Sequence, residues 1–519
     1  MKRRSFLARG TALSALTAAG GRAASAKPGQ QLNVLFIAVD DLRPELDCYG
    51  NDEVHSPHID ALAERGMRFS RAYCQFSHCA PSRQSLMSGI RPGHPNRRPH
   101  LSEWFKTNGY YAAGMGKIYH PCFAEAGPGQ DMNPDTSWSE PHYYPGPRYY
   151  YTPEGIEAAE KDFAPQAKKL GVPVSEWTNH FVTALSTEAP DVDDETLYDG
   201  KIAARAIAKL RELRNRPFFL AAGFIKPHLP FVAPKRYWDL YDREAIELPD
   251  NQFYPIDAPP YAIYPRFELG QYTDTGNLDI AMQKKLIHGY RACVSFVDAQ
   301  IGKLLRELDR LGLRENTVVV LWGDHGWKLG EHDAWSKLSN CELDTRTAMI
   351  VSPPGRSLGE SDALVELVDL YPTLCDLCGL DKPEHLHGTS MAPLLDDPDR
   401  AWKPAAFSVM GRRNEGVAGY AMRTDRYRLV LWIEAPPRNP GPLPKSRDEI
   451  TIDSVELYDH AIDPQENRNR AADPAYADVV ETLIDRLLEG WDAVRAAIPA
   501  EGDAGQVKKN RNLYCPAPG

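Results

Sequence analysis

Three apolar runs, each ending in reactive side chains, constrain this chain most. Leu32-Asn-Val-Leu-Phe-Ile-Ala-Val39 stops at Asp40-Asp41, and Pro217-Phe-Phe-Leu-Ala-Ala-Gly-Phe224 leads to Lys226-Pro-His228. Thr317-Val-Val-Val-Leu-Trp322 delivers Asp324-His325. Runs so uniformly apolar are expected of parallel strands covered by helices on both faces. A fourth strand, after a helix over residues 101–108, ends at Gly116-Lys117. Open α/β sheets carry their ligands at the carboxyl ends of strands, so these polar residues are expected on one rim. Helices are read at 58–65, 197–213, 284–311 and 367–377, and strands at 67–73 and 347–351. The fold class is α/β, a mixed and mostly parallel sheet sandwiched by helices.

The segment His78-Cys79-Ala80-Pro81-Ser82-Arg83 adds the chemistry. Pro81 suits a first helical position, where its missing N–H costs little, so a short helix is predicted over Ser82–Ser88. Cys79 would then sit at a positive, donor-rich helix end that favours anions such as a sulfate or phosphate ester. A cysteine there, beside Arg83, is expected to have a lowered thiol pKa, and bare thiolate chemistry is one reading. A buried structural cysteine is the plain alternative. Asp40, Asp41 and Asp324 offer three carboxylates from two strand ends, hard oxygen ligation suited to Ca²⁺ or Mg²⁺ rather than zinc.

The rest of the chain divides simply. Residues 121–190 are rich in Pro, Tyr, Asp and Gly without sustained periodicity, and read as an insert over the active-site face. Its Tyr143, Tyr144, Tyr149, Tyr150 and Tyr151 are candidates to shape a sugar site or simply a surface loop. A second irregular excursion covers 250–275. Beyond residue 400, Tyr420–Trp432 alternates like an antiparallel hairpin, Glu456–Asn467 reads as strand and turn, and Val479–Ala497 as a closing helix. Three units follow: 1–26 an export signal, 27–403 the catalytic domain, and 404–519 a smaller C-terminal α+β subdomain.

Arg3-Arg4 before Phe6-Leu7, a weakly apolar run and Ala24-Ser25-Ala26 give residues 1–26 a twin-arginine character. The twin-arginine export machinery is thus an expected partner, and the location periplasmic or secreted. No later run suits a membrane span, so stable membrane insertion is not expected. The net charge of −11 argues against a nucleic-acid partner. Nine cysteines show no regular framework, and Cys375 and Cys378 read as small core residues despite their zinc-knuckle spacing.

Cys79-Ala-Pro-Ser-Arg83 resembles the signature of type I sulfatases. The remaining family set recurs in order: Asp40-Asp41, Gly116-Lys117, Lys226-Pro227-His228, Gly323-Asp324-His325-Gly326 and Lys337. The runs Lys226–Phe231, Asp324–His332 and Trp335–Asn340 look like the iduronate-2-sulfatase branch. The resemblance implies an alkaline-phosphatase-like fold and conversion of Cys79 to 3-oxoalanine (formylglycine) by a formylglycine-generating enzyme. It also implies one Ca²⁺ held by Asp40, Asp41, Asp324, His325 and the oxidised Cys79. A hydrated formylglycine carries two hydroxyls on one carbon; one attacks sulfur, and proton loss from the other expels sulfate.

Under this resemblance Arg83, Lys117 and Lys337 neutralise the spread negative charge. His228 protonates the leaving sugar oxygen, with Lys337 assisting, because histidine titrates near working pH. His120 assists proton removal from the hydrated aldehyde. In this chain Lys117 and His120 stand three residues apart, where many sulfatases place them two apart. Lys226 is a candidate substrate contact, and Arg97 and Arg98 are candidates to reach a uronate carboxylate. The implied substrate is a sulfated glycan, with exo action on a 2-O-sulfated uronic acid. A phosphonate monoester or phosphodiester hydrolase of the same fold is the second reading, and an inactive sugar-binding relative the third.

Overall fold

The computed structural model describes residues 31–120, 135–146, 149–180, 182–435 and 440–518. The predicted export signal, 1–26, lies outside the described residues, as does 121–134 of the predicted insert.

Seven strands form the central sheet: β1 (Asn33–Val39), β2 (Met67–Phe69), β3 (Tyr111–Gly116), β4 (Phe218–Phe224), β5 (Thr317–Gly323), β6 (Met349–Ser352) and β7 (Gly359–Ser361). Their spatial order is β7-β2-β6-β5-β1-β4-β3. Only β6 runs against its neighbours, so the sheet is mixed and mostly parallel. This is the α/β class expected from the apolar runs, and every residue of β1, β4 and β5 is buried.

Alternation within β1 shows why its sequence carries no polar face. Leu35, Ile37 and Val39 face one core, shared with helices α5 (Tyr198–Leu213) and α6 (Ile280–Arg310). Val34, Phe36 and Ala38 face the other, shared with α2 (Cys79–Ser88), α3 (Leu101–Thr107) and α7 (Leu370–Cys378). Cys375 and Cys378 pack in that second core. Helix α1 (Pro57–Glu64) lies on the first.

Several boundaries depart from the sequence reading. The strand expected over 67–73 is two short strands, Met67–Phe69 and Ala72–Tyr73, paired in different sheets. The expected insert contains an 18-residue helix, α4 (Pro153–Leu170), capped by Thr152 and ended by Gly171 in the left-handed region. Its buried stripe of Gly155, Ala159, Phe163 and Ala167 keeps a four-residue spacing. Pro165 lies inside this helix, a residue that reads as a helix breaker in the sequence. Helix α2 begins at Cys79 with His78 as N-cap, three residues before the predicted start, and Pro81 occupies its third position rather than its first.

A second, four-stranded antiparallel sheet runs through Ala405–Arg412, Val417–Thr424, Tyr427–Glu434 and Ile452–Asp459 in order. Helix α8 (Ala477–Ala496) packs on it, but does not close the chain, because α9 (Ala504–Tyr514) follows. Buried ion pairs join this sheet to the larger unit: Glu342 receives Arg423 at 3.0 Å and also Arg428. No helix among the described residues is long and apolar enough to cross a membrane.

Candidate active site

Strand register brings the site together. Val39 pairs with both Gly323 and Phe224, and Gly116 pairs with Gly223, so β3, β4, β1 and β5 end level. Asp40, Asp324, Lys117 and Ile225 are therefore the first residues past four adjacent strand ends. The turn after β3 needs glycine. Gly116 has φ +68°, and a Cβ there would lie 2.0 Å from the Gly223 carbonyl oxygen. Asp41 also sits in the left-handed region at φ +61°, an uncommon conformation for a residue with a side chain.

Arg83 locks the two acidic strand ends. Its Nε donates to Asp324 Oδ2 at 2.8 Å and its second terminal nitrogen to Asp40 Oδ1 at 2.9 Å. The other terminal nitrogen donates to the carbonyls of Lys117 and Ile118, and the guanidinium lies 5.4 Å over the Trp322 ring. Arg83 is fully buried, and each of its three nitrogens donates to a protein acceptor. It acts on the carboxylates rather than on a bound anion, which redirects the role expected from its place beside Cys79.

Two lysines complete the charge pattern. Lys117 donates to Asp40 Oδ2, and Lys337 approaches Asp41 Oδ1 at 2.8 Å and Oδ2 at 3.0 Å. Burial disfavours the Asp40 charge, yet Lys117 and Arg83 together hold its carboxyl well below the usual range. Asp41 goes the other way. Burial pushes it well above the usual range, and Lys337 offsets this only in part against Asp40, Glu268 and Asp324. Burial, with Asp40 nearby, also pushes the Cys79 thiol well above its ordinary value. The lowered thiol expected from the helix end is thus corrected: desolvation outweighs the helix-end field, and bare thiolate chemistry loses its support.

His325 is oriented as a lone-pair donor. Its Nδ1 lies 2.9 Å from the Gly326 carbonyl, which can only accept, so Nδ1 carries the proton. The free Nε2 then points to Cys79 Sγ at 3.3 Å, Asp41 Oδ1 at 3.4 Å and Asp324 Oδ2 at 3.6 Å. Burial lowers the pKa of this imidazole, which keeps that lone pair available. Donor atoms of Cys79, Asp324 and His325 lie within 4.8 Å of one another, as do those of Asp40, Asp41, Cys79 and His228. Converging buried carboxylates, an under-neutralised Asp41 and an imidazole lone pair are the donor set of a divalent cation.

The remaining candidates separate clearly. His228 and His120 line a cavity of about 240 Å³ together with Lys117, Tyr149, Phe267, Glu268 and Tyr272. His120 Nδ1 is buried without a hydrogen-bond partner among the described residues, and burial beside Lys117 lowers the imidazole to about 3. His228 fixes Nδ1 on the Leu229 carbonyl at 2.6 Å. Burial, then Lys337 and Lys117, holds its imidazole well below the ordinary value, so titration near working pH is not a property of this site as it stands.

Lys226 turns away from the cavity lining. Its ammonium donates to the carbonyls of His228 at 2.8 Å and Pro230 at 2.6 Å, bracing the loop that carries His228. Arg98 pairs with Glu103, and Arg97 is exposed outside the cavity lining. Of the five insert tyrosines, Tyr149 alone lines the cavity, while Tyr150 is buried among Phe163 and Trp177. Sequence reasoning passed over Glu268, whose Oε1 lies 3.0 Å from Lys337 and whose Oε2 lies 3.9 Å from His228 Nε2. It stands in the irregular 250–275 stretch, where no periodicity marks it.

Comparison with known proteins agrees with this geometry. The Sulfatase family model matches residues 32–380, and the model of the N-sulphoglucosamine sulphohydrolase C-terminal family matches 330–439. Human iduronate 2-sulfatase is 30% identical over 537 aligned residues, covering 87% of this chain and 93% of that protein. A phosphonate monoester hydrolase from Silicibacter pomeroyi shares the fold with a TM-score of 0.66 at 22% identity, over 88% of this chain and 94% of its own. A 2-O GAG sulfatase does so with a TM-score of 0.63 at 22% identity, over 94% and 98%. With its family model spanning most of the chain and its acids, lysines and cysteine gathered on one rim, this protein belongs to the sulfatase family and is a sulfuric ester hydrolase.

Proposed function

We propose that this protein removes sulfate from a sulfated glycan, acting from the chain end on a 2-O-sulfated uronic acid. The observation that carries the chemistry is the convergence of Asp40, Asp41, Asp324 and His325 on Cys79, with Lys117 and Lys337 beside them. The substrate assignment is supported by the likeness to human iduronate 2-sulfatase. Cys79 is taken to be converted to formylglycine by a formylglycine-generating enzyme. Its hydrate supplies one hydroxyl to attack sulfur and a second whose deprotonation expels sulfate. Asp40, Asp41, Asp324, His325 and residue 79 would hold one Ca²⁺, which when bound would supply Lewis-acid stabilisation of the nucleophile and the sulfate group.

The chain's own residues do the rest. Arg83 keeps Asp40 and Asp324 ionised and aligned. Lys117 and Lys337 present buried positive charge to the ester, strongest where water is excluded. His120, kept neutral by burial, is assigned to take a proton from the nucleophile. His228 shares the cavity and is the donor to the leaving oxygen; an arriving sulfate offsets the lysines that depress it and favours its charged form. Export by the twin-arginine route would place the enzyme in the periplasm or outside the cell.

The test is sulfate release from a disaccharide with a 2-O-sulfated uronic acid at its non-reducing end. The protein is co-produced with a formylglycine-generating enzyme, the Cys79 peptide is checked by mass for the aldehyde, and Ca²⁺ is supplied. Rapid release is expected. No release from aldehyde-bearing protein overturns the uronate assignment.

A further inference from the structure

A second cavity, of about 490 Å³, adjoins the catalytic one and is built from both units of the fold. Phe267 lines both cavities. His78 and Leu338 line the second, and each is the immediate neighbour of a site residue, Cys79 and Lys337. The two cavities are thus continuous at Phe267, and the second is flanked by the chain segments that carry Cys79 and Lys337. Its far wall is the hairpin between the first two strands of the antiparallel sheet, with Arg412, Arg413 and Asn414.

The wall is organised around one buried guanidinium. Arg412 donates to the carbonyls of Tyr261, Ala262 and Leu338, and lies 4.2 Å over the Tyr264 ring. Tyr264 is further held by its hydroxyl, which donates to Glu415 at 2.7 Å. Phe267 stacks near Tyr264, with ring centroids 6.1 Å apart and planes 22° apart, and remains 53% exposed. An exposed ring fixed by neighbours offers an apolar face at little entropic cost. Arg413, in the same lining, is exposed and has no ion-pair partner among the described residues, whereas Arg412 donates to three backbone carbonyls. A fixed aromatic face and an unpaired guanidinium lining one cavity suit a sugar ring that bears an acid group.

We propose that this second cavity is a subsite for the sugar residue linked to the sulfated one, stacking it on Phe267 and pairing its sulfate or carboxylate with Arg413. The inference rests on the glycan reading above, and it makes the C-terminal sheet a reader of chain length and charge rather than a scaffold alone.

Binding to the full-length Cys79→Ala protein tests it without turnover. By calorimetry in Ca²⁺, a disaccharide with an anionic second residue is expected to bind about tenfold tighter than the sulfated monosaccharide. Arg413→Ala, made in that background, is expected to remove most of this gain and leave monosaccharide affinity unchanged. A disaccharide whose second residue is neutral should show little effect of Arg413→Ala. Equal affinity for mono- and disaccharide, or a gain that survives Arg413→Ala, overturns the subsite. Failure of the glycan reading looks different: neither sugar binds, while a small aryl sulfate is still turned over by the aldehyde-bearing protein.

Discussion

Arg83 Nε stands 2.8 Å from Asp324 Oδ2 with both side chains fully buried. The same guanidinium reaches Asp40, so one cation fixes the acids of two neighbouring strands. Breaking a buried ion pair by removing one partner costs about 3–5 kcal/mol, because the other charge is left uncompensated. Arg83→Ala should therefore lower the unfolding free energy measured in urea by that amount and abolish activity. Arg83→Lys supplies the charge but not the fork, and should recover stability only in part. Unchanged unfolding in Arg83→Ala would refute this bracing role.

Unconverted Cys79 should be inert. It is 1% exposed, and burial together with Asp40 pushes its thiol well above the ordinary value. Native protein made without the converting enzyme should resist iodoacetamide at pH 8 and react fully once denatured, as read by peptide mass. Rapid native alkylation at Cys79 would show that the helix end, not burial, governs the thiol. Cys79→Ala should fold normally and show no turnover.

His228 shares the cavity with Lys117 and Glu268 and is the assigned proton donor. A donor matters most when the leaving oxygen is basic. His228→Ala should lower kcat on a sulfated sugar by about 10²–10⁴-fold, the usual contribution of general acid catalysis, and far less on an activated aryl sulfate. Equal losses on both would remove His228 from that role.

How much of this was legible in the sequence depends on where each residue stands. Strands β1, β4 and β5 are buried on both faces, so their uninterrupted apolar runs announced them and placed Asp40, Asp324 and the 226–228 loop. Lys226 looked like a site residue by adjacency to His228. Its ammonium turns back onto the carbonyls of 228 and 230, a geometry set by the loop path and not by residue type. Glu268 left no signal because an irregular segment has no period from which to stand out. Helix α4 was missed although its buried stripe recurs every four residues, because Pro165 stands inside it and reads as a breaker. Arg83 was found by motif, but its four protein acceptors follow only from the level strand ends.

The cation assigned to the site should stabilise the folded chain by mass action. A ligand at a hundred times its Kd adds about 2.7 kcal/mol. Ca²⁺ should raise the melting temperature and EGTA should reverse it, with Cys79→Ala protein included to separate the effect from turnover. Asp41→Asn should remove the increment, because Asp41 is the carboxylate most in need of positive charge. A Ca²⁺ increment that persists in Asp41→Asn would place the ion elsewhere.

A final prediction concerns pH and lies far from the site. Asp298, on α6, accepts the backbone N–H groups of His58 at 3.0 Å and Ile59 at 2.8 Å, tying down the start of α1. Burial raises its carboxyl from 3.8 to about 7, against the lowering effect of those two N–H groups. The folded state therefore holds this proton up to about pH 7, whereas the unfolded chain releases it near 3.8. Between those values the folded state binds more protons, so stability falls as pH rises, by about 1.4 kcal/mol per unit of displacement at the limit. Asparagine keeps an acceptor oxygen for the two N–H groups and carries no charge. Asp298→Asn should thus match the parent near pH 4, exceed it at pH 8, and lose the slope between. Parallel pH–stability curves for the two proteins, measured by urea unfolding, would refute the assignment.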